Sequence, residues 1–347
     1  MESLVAQEFA LKKVFQSLLR ICGALLLVLF GLLAGVAAIT TMPGNSHRGP
    51  LPALSAQERE LSIRLRQHVT AIASTEHNHR HHEALEAACA YLESELVASG
   101  FVVRREEFTV AGKAMRNLEV TIPSKRSPGR SALVVGAHYD SAQGSPGAND
   151  NGTGAAALLE LAKRLRGGAE TAKSDIVLVL YTNEEPPFFR TPQMGSVVHA
   201  KGLVSQGIKV KAMLSLETMG YFSEESGSQR YPWPLNLFFP SRGDFIGFVA
   251  TTADWRLVRR VVQSFRAHAA FPSEGIAAPR FVPGVDFSDH AAYLNEGMPA
   301  LMVTDTAPYR YPYYHTDQDT PDQVDFDSLA RVVSGLLPVV RGLAADD

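Results

Sequence analysis

The fold turns on residues 131–140, Ser-Ala-Leu-Val-Val-Gly-Ala-His-Tyr-Asp, in which the apolar run Leu133-Val134-Val135-Gly136-Ala137 stops at His138-Tyr139-Asp140. A short apolar run with no polar alternation fits a strand buried on both faces, as in parallel sheets covered by helices. The pattern recurs downstream. Asp175–Tyr181 runs into Thr182-Asn183-Glu184-Glu185, and Val210–Leu216 runs into Glu217. Between them, Gly147-Ala148-Asn149-Asp150-Asn151-Gly152 opens a helical stretch to Leu165, and the strand-like Ala300–Thr304 precedes a polar loop holding Tyr314-His315-Thr316. Alternation of apolar strands with helical segments at Ser55–Ala73, His82–Ala98, Ser196–Ser205, Trp255–His268 and Phe326–Leu343 predicts a three-layer α/β/α sandwich on a mostly parallel sheet. Further strands are expected at Phe101–Val110, Leu118–Ile122 and Phe245–Ala250. Sites in such sheets form beyond the carboxyl ends of the strands, where these polar residues fall.

Singly, each has a structural reading. His138 and Asp140 can close a turn, adjacent glutamates can line a solvated edge, and Asp150 can cap a helix. Glu217 points further, because a carboxylate placed directly after a buried strand is costly without a partner. The conjunction of all of them at one sheet edge argues for a functional centre.

Composition narrows the chemistry. The chain has 347 residues, 46% hydrophobic and 20% charged, with a formal net charge of −3, which supplies no global basic field for nucleic acid. Its two cysteines, Cys22 and Cys89, cannot build a thiolate metal site, so metal ligands must be His, Asp and Glu. Residues 21–39 carry no charge. A helix over this run would span roughly 28 Å, close to a bilayer core. Lys12, Lys13 and Arg20 precede it and no basic residue follows before Arg48, so the positive-inside rule leaves residues 1–20 in the cytoplasm and exports the remainder, to the periplasm or the cell exterior. The expected organisation is a short cytoplasmic N-terminus (1–20), a single-pass signal-anchor helix (21–39), a Pro/Gly-rich linker (40–54) and a catalytic domain (55–347). A cleaved signal peptide is the alternative for the apolar run.

In this order the residues resemble peptidase family M28. The matching stretches are GAHYDS (136–141), GANDNGTG (147–154), YTNEE (181–185), LSLETMGY (214–221), SDHAAYLNEGMPALMVTDT (288–306) and YHTDQDTPD (314–322). The resemblance is nearest to members whose Glu-Glu pair is followed by a loop like Pro186–Phe189. It implies a zinc-exopeptidase-like fold, two zinc ions per chain, and hydrolysis of peptides with a free N-terminus. His138 and Glu217 would bind one ion, Glu185 and His315 the other, and Asp150 would bridge them. Glu184 would be the general base, and Asp140 would orient His138 by a hydrogen bond. A cis peptide would follow Asp150.

The chain departs from the pattern in two places. Many members have Asp where Glu217 stands, and the stretch Val285-Asp286-Phe287 lacks a tyrosine that stabilises the oxyanion in some members. No oxyanion donor is assigned, leaving Tyr309, Tyr311, Tyr313 and Tyr314 as candidates by proximity to His315. A one-zinc glutaminyl-cyclase-like transferase and a non-catalytic ectodomain are the rival readings, and carboxypeptidase or dipeptidase action stays open. Three other features receive structural readings: His77, His79, His81 and His82 as a solvated loop, Trp233 as a packing residue, and Arg259-Arg260 as an exposed helix face.

Overall fold

A computed structural model describes residues 2–126, 128–129, 131–167 and 171–346. The chain divides into two units, residues 1–41 and 42–347. The first is a helix, α1 (Glu2–Thr40). Its stretch Leu11–Thr40 is long and apolar enough to cross a membrane.

In the second unit the elements follow in the order α2 (Ala56–Ile72), α3 (His82–Ala98), β1 (Arg104–Val110), β2 (Lys113–Ile122), β3 (Ser131–His138), α4 (Thr153–Leu165), β4 (Asp175–Tyr181), α5 (Gly195–Ser205), β5 (Lys209–Glu217), β6 (Ile246–Thr251), α6 (Trp255–His268), β7 (Ser273–Ala278), α7 (His290–Asn295), β8 (Ala300–Thr304), α8 (Ala307–Arg310) and α9 (Phe326–Ala345). The eight strands form one sheet in the order β1-β2-β4-β3-β5-β8-β6-β7. Strands β4, β3, β5 and β8 are mutually parallel, with antiparallel pairs where β2 meets β4 and β6 meets β8. This is the expected α/β/α sandwich with a mixed, mostly parallel sheet.

Local chemistry explains the elements. Ser55 starts α2 through a capping box: its hydroxyl accepts from the Glu58 amide, and the Glu58 carboxylate accepts from the Ser55 amide. Strand β4 is buried at every position, as its unbroken apolar sequence requires. One face of the sheet packs under a large core with α2, α4, α6 and α9, and the other carries α5 and α7 over Val134, Val179 and Met213. Gly154 lets α4 approach β5, since a Cβ there would lie 2.4 Å from the Leu216 carbonyl oxygen.

Three elements escaped the sequence reading, among them the four-residue helix α8, too short to show a period. Strand β7, Ser-Glu-Gly-Ile-Ala-Ala, is short, at the sheet edge, and poor in β-forming residues. Helix α7 has six residues, too few to display a helical period. Part of the stretch read as linker is fastened to the domain: Met42 is buried, Arg266 donates to the carbonyls of Met42, Pro43 and Gly44, and the Ser46 hydroxyl accepts from the Ser273 amide.

The histidine tract, expected as a solvated loop, departs from that at His77, while His81 is exposed and His79 and His82 half-buried. His77 is buried, its amide donates to the Ser141 hydroxyl, and its carbonyl accepts from the Ser141 amide. The tract thus pins the segment leaving β3. Trp233, expected to pack, is 83% exposed, in the loop between β5 and β6. On α6, Arg260 is exposed and Arg259 half-buried.

Candidate metal centre

The carboxyl ends of β3, β4 and β5 bring the six central residues together. His138 is the last residue of β3 and Glu217 the last of β5, while Glu184 and Glu185 follow β4 by three and four residues. Asp150 comes from the turn before α4, and His315 from the loop beyond α8, in a left-handed backbone conformation with φ of 57°. The Asp150–Asn151 peptide is cis, as the resemblance implies.

The ligand-type atoms fall into two groups sharing one residue: His138, Asp150 and Glu217, and then Asp150, Glu185 and His315. His138 Nε2 lies 3.4 Å from Asp150 Oδ1 and 3.3 Å from Glu217 Oε2. His315 Nε2 lies 3.0 Å from Asp150 Oδ2 and 3.4 Å from Glu185 Oε1. The two oxygens of Asp150 therefore face opposite groups. Ligands about 2.0–2.1 Å from a tetrahedral ion stand about 3.3 Å apart, so these spacings suit a cation among the atoms. Among the described residues, no donor meets buried Asp150 Oδ2 or Glu185 Oε1 in hydrogen-bond geometry, close as His315 is. The His and carboxylate donor set matches zinc.

The electrostatics point the same way. Burial pushes the Glu184 carboxyl well above the usual range, with Glu217 and Glu185 adding to it. Glu185 rises to about 7, through burial and then the charge of Asp150. Asp289 also rises to about 7 through burial, and among the described residues neither of its buried oxygens has a partner in full hydrogen-bond geometry. Asp150 moves the other way: contacts from His138 and His315 overcome burial and hold it ionised. Buried acid groups crowded in this way are relieved by a bound cation.

A tier of polar residues fixes the geometry. Asp140 accepts from the Glu184 amide (3.0 Å) through one carboxylate oxygen and from the Glu185 amide (3.1 Å) through the other. Its carboxylate is 3.6 Å from His138 Nδ1, whereas its main-chain carbonyl is 3.1 Å from that nitrogen. Asp140 thus orients His138 mainly through the backbone, and its side chain holds the Glu-Glu pair. Asp319 accepts from the amides of Asn149 (2.8 Å) and Asp150 (3.1 Å) and from the Tyr311 hydroxyl (2.7 Å). Ser288 donates to Glu217 Oε2 at 2.7 Å. Sequence reasoning gave Asp319, Asp289 and Ser288 no role, although all three lie within the quoted motifs. Only their position in those motifs signalled them.

Of the tyrosines near His315, Tyr309 donates to the Pro283 carbonyl and Tyr311 to Asp319. Tyr314 stacks on the His315 ring at 3.9 Å and borders, with Glu217, an apolar cavity.

A zinc-exopeptidase-like fold carrying paired metal-competent groups defines the class. The model of peptidase family M28 matches residues 117–340, and the chain belongs to that family. YfbL of Escherichia coli (strain K12), described as uncharacterized, is 37% identical over 265 residues, which cover 74% of this chain and 80% of YfbL. Leucine aminopeptidase 1 of Arthroderma otae is 28% identical over 234 residues, 62% of this chain and 56% of that protein. Among solved structures, Legionella pneumophila LapA aminopeptidase superposes with a TM-score of 0.64 at 20% identity, covering 86% of this chain and 78% of LapA. Fimbriiglobus ruber glutaminyl cyclase gives 0.59 at 19% identity, covering 85% and 97%. At these identities the two structures speak for the fold alone.

Proposed function

We propose that the protein is a two-zinc aminopeptidase that releases N-terminal residues from peptides. The observation carrying this reading is the pair of three-residue groups sharing Asp150, with Glu184 outside both and its Oε2 3.9 Å from His138 Nε2. In it, His138 and Glu217 would hold one zinc and Glu185 and His315 the other, with Asp150 contributing to both. Zinc, when bound, supplies Lewis acidity toward the scissile carbonyl and lowers the pKa of water. Glu184 takes the proton of the attacking water and returns it to the leaving amine. Asp140 holds the Glu184 and Glu185 backbone so that one carboxylate ligates while its neighbour stays free. Tyr314, beside Glu217, faces the substrate.

The test is hydrolysis of aminoacyl-anilides by zinc-loaded protein beside N-acetylated controls. Free-amine substrates are cleaved and blocked ones are not. Cleavage of the blocked substrates, or cyclisation of N-terminal glutamine peptides without hydrolysis, overturns the assignment.

The same reading keeps α1 as an uncleaved anchor with the catalytic unit on the non-cytoplasmic side. Its uncharged run, residues 21–39, matches the roughly 20 residues a bilayer requires. Full-length protein is expected to stay in the membrane fraction after alkaline washing, while a fragment beginning at Met42 is recovered in the supernatant. A mature N-terminus beyond residue 39 would show instead that the helix is a cleaved signal.

A further inference from the structure

The apolar cavity beside the metal centre has a charged far end. Strand register explains why. Glu217 pairs with Thr304, Thr304 with Gly247, and Gly247 with Glu274, so the four residues form one row across β5, β8, β6 and β7. Laterally paired residues project to the same face of a sheet. The adjoining row, Ser215–Met302–Val249–Ile276, lies on that face too. Two of its members, Val249 and Ile276, join Val282, Val285 and Phe239 in a small apolar cluster. Glu217 and Glu274 are the carboxylates lining the cavity, and among the described residues no lysine or arginine lines it. Between them stand only the small Thr304 and Gly247, which leave the floor open.

Among the described residues the one ion pair of Glu274 is with Arg266 at 3.8 Å, beyond hydrogen-bonding distance. Arg266 is itself engaged with the carbonyls of Met42, Pro43, Gly44 and Ser273. Nearby Asp244 adds negative charge, and exposed Arg48 positive. A partly buried carboxylate at the end of an apolar channel lacks a full partner.

We infer that Glu274 is a specificity residue that receives the cationic end of a lysine or arginine side chain at the substrate's N-terminus. This rests on the aminopeptidase reading of the adjoining centre. Lysine and arginine combine an apolar stem with a charged head, which matches apolar walls ending in one acid. The lengths agree. Three strand spacings of about 4.8 Å separate Glu217 from Glu274 by about 14 Å. That separation leaves room between the centre and Glu274 for a lysine stem of about 6 Å meeting a glutamate side chain of about 4 Å. The stacked rings of Tyr231 and Phe239, which also line the cavity, offer an aromatic wall to the stem.

The test uses full-length, zinc-loaded protein in detergent and compares lysyl- with norleucyl-anilide, which has a similar stem and no charge. Wild type is expected to favour the lysyl substrate in kcat/KM by about tenfold or more, and Glu274→Gln to lower that ratio by about tenfold. An unchanged ratio in Glu274→Gln, an equal loss on both substrates, or a wild-type preference for norleucine overturns the inference. Calorimetric binding of lysinamide against norleucinamide separates it from the peptidase reading. With no hydrolysis of any anilide, a lysinamide preference that Glu274→Gln removes upholds Glu274 while the peptidase assignment fails. Equal binding of the two amides overturns Glu274.

Discussion

Glu184→Gln is expected to lower kcat by about 10²–10⁴-fold, the usual share of general acid–base catalysis, while zinc content stays at the wild-type level. Glu184 is buried and lies outside both groups of metal-competent atoms. Its backbone is held by Asp140, which accepts from its amide at 3.0 Å. Glutamine keeps the shape and the packing but cannot take a proton, so the loss falls on the chemical step. Circular dichroism and metal analysis of the variant read folding and zinc occupancy separately from turnover. If zinc is lost in proportion to activity, Glu184 is a ligand and the assignment of the base is wrong.

Asp150→Asn is expected to empty both metal positions together. Asp150 presents Oδ1 to His138 and Oδ2 to His315, so a single side chain completes both groups. Exchanging one oxygen for an amide removes charge from both at once. Mutation of residues that merely support a ligand costs 10–100-fold in metal affinity, and loss of a shared ligand is expected to cost at least about that much at each position. Wild-type protein should approach two zinc equivalents per chain. His138→Ala should mainly empty the position it shares with Glu217, leaving about one. A stoichiometry of one zinc in saturated wild-type protein would remove the bridging role.

Much of the centre was legible because four of its residues, His138, Glu184, Glu185 and Glu217, stand where an apolar strand stops. His138 and Glu217 end β3 and β5, and the Glu-Glu pair follows β4, so a pattern of runs and stops located them before any geometry was known. The residues that hold this centre were not legible in that way. Asp319 acts on Asn149 and Asp150 from 170 and 169 residues away, through contacts with backbone amides that leave no trace in local periodicity. The buried state of His77 likewise depends on its pairing with Ser141, and a polar, turn-rich segment looks solvated until that partner is placed. Strand β7 was missed for a different reason. Its pairing with β6, rather than its own propensity, makes it a strand, and Glu274 went unnoticed with it.

The reversal of β6 and β7 against β8 has an evolutionary consequence. In the parallel strands the chemistry lies where strands finish, but the antiparallel pair brings its own beginnings to the same rim, so that Gly247 and Glu274 stand level with Glu217. The metal-competent strand ends and the far end of the cavity thus belong to separate stretches of chain. In the aminopeptidase proposed above, substitutions near the start of β7 would change which N-terminal residue is accepted without touching the metal ligands. A lineage built on this scaffold would then diversify its diet of peptides while its hydrolytic apparatus stood still.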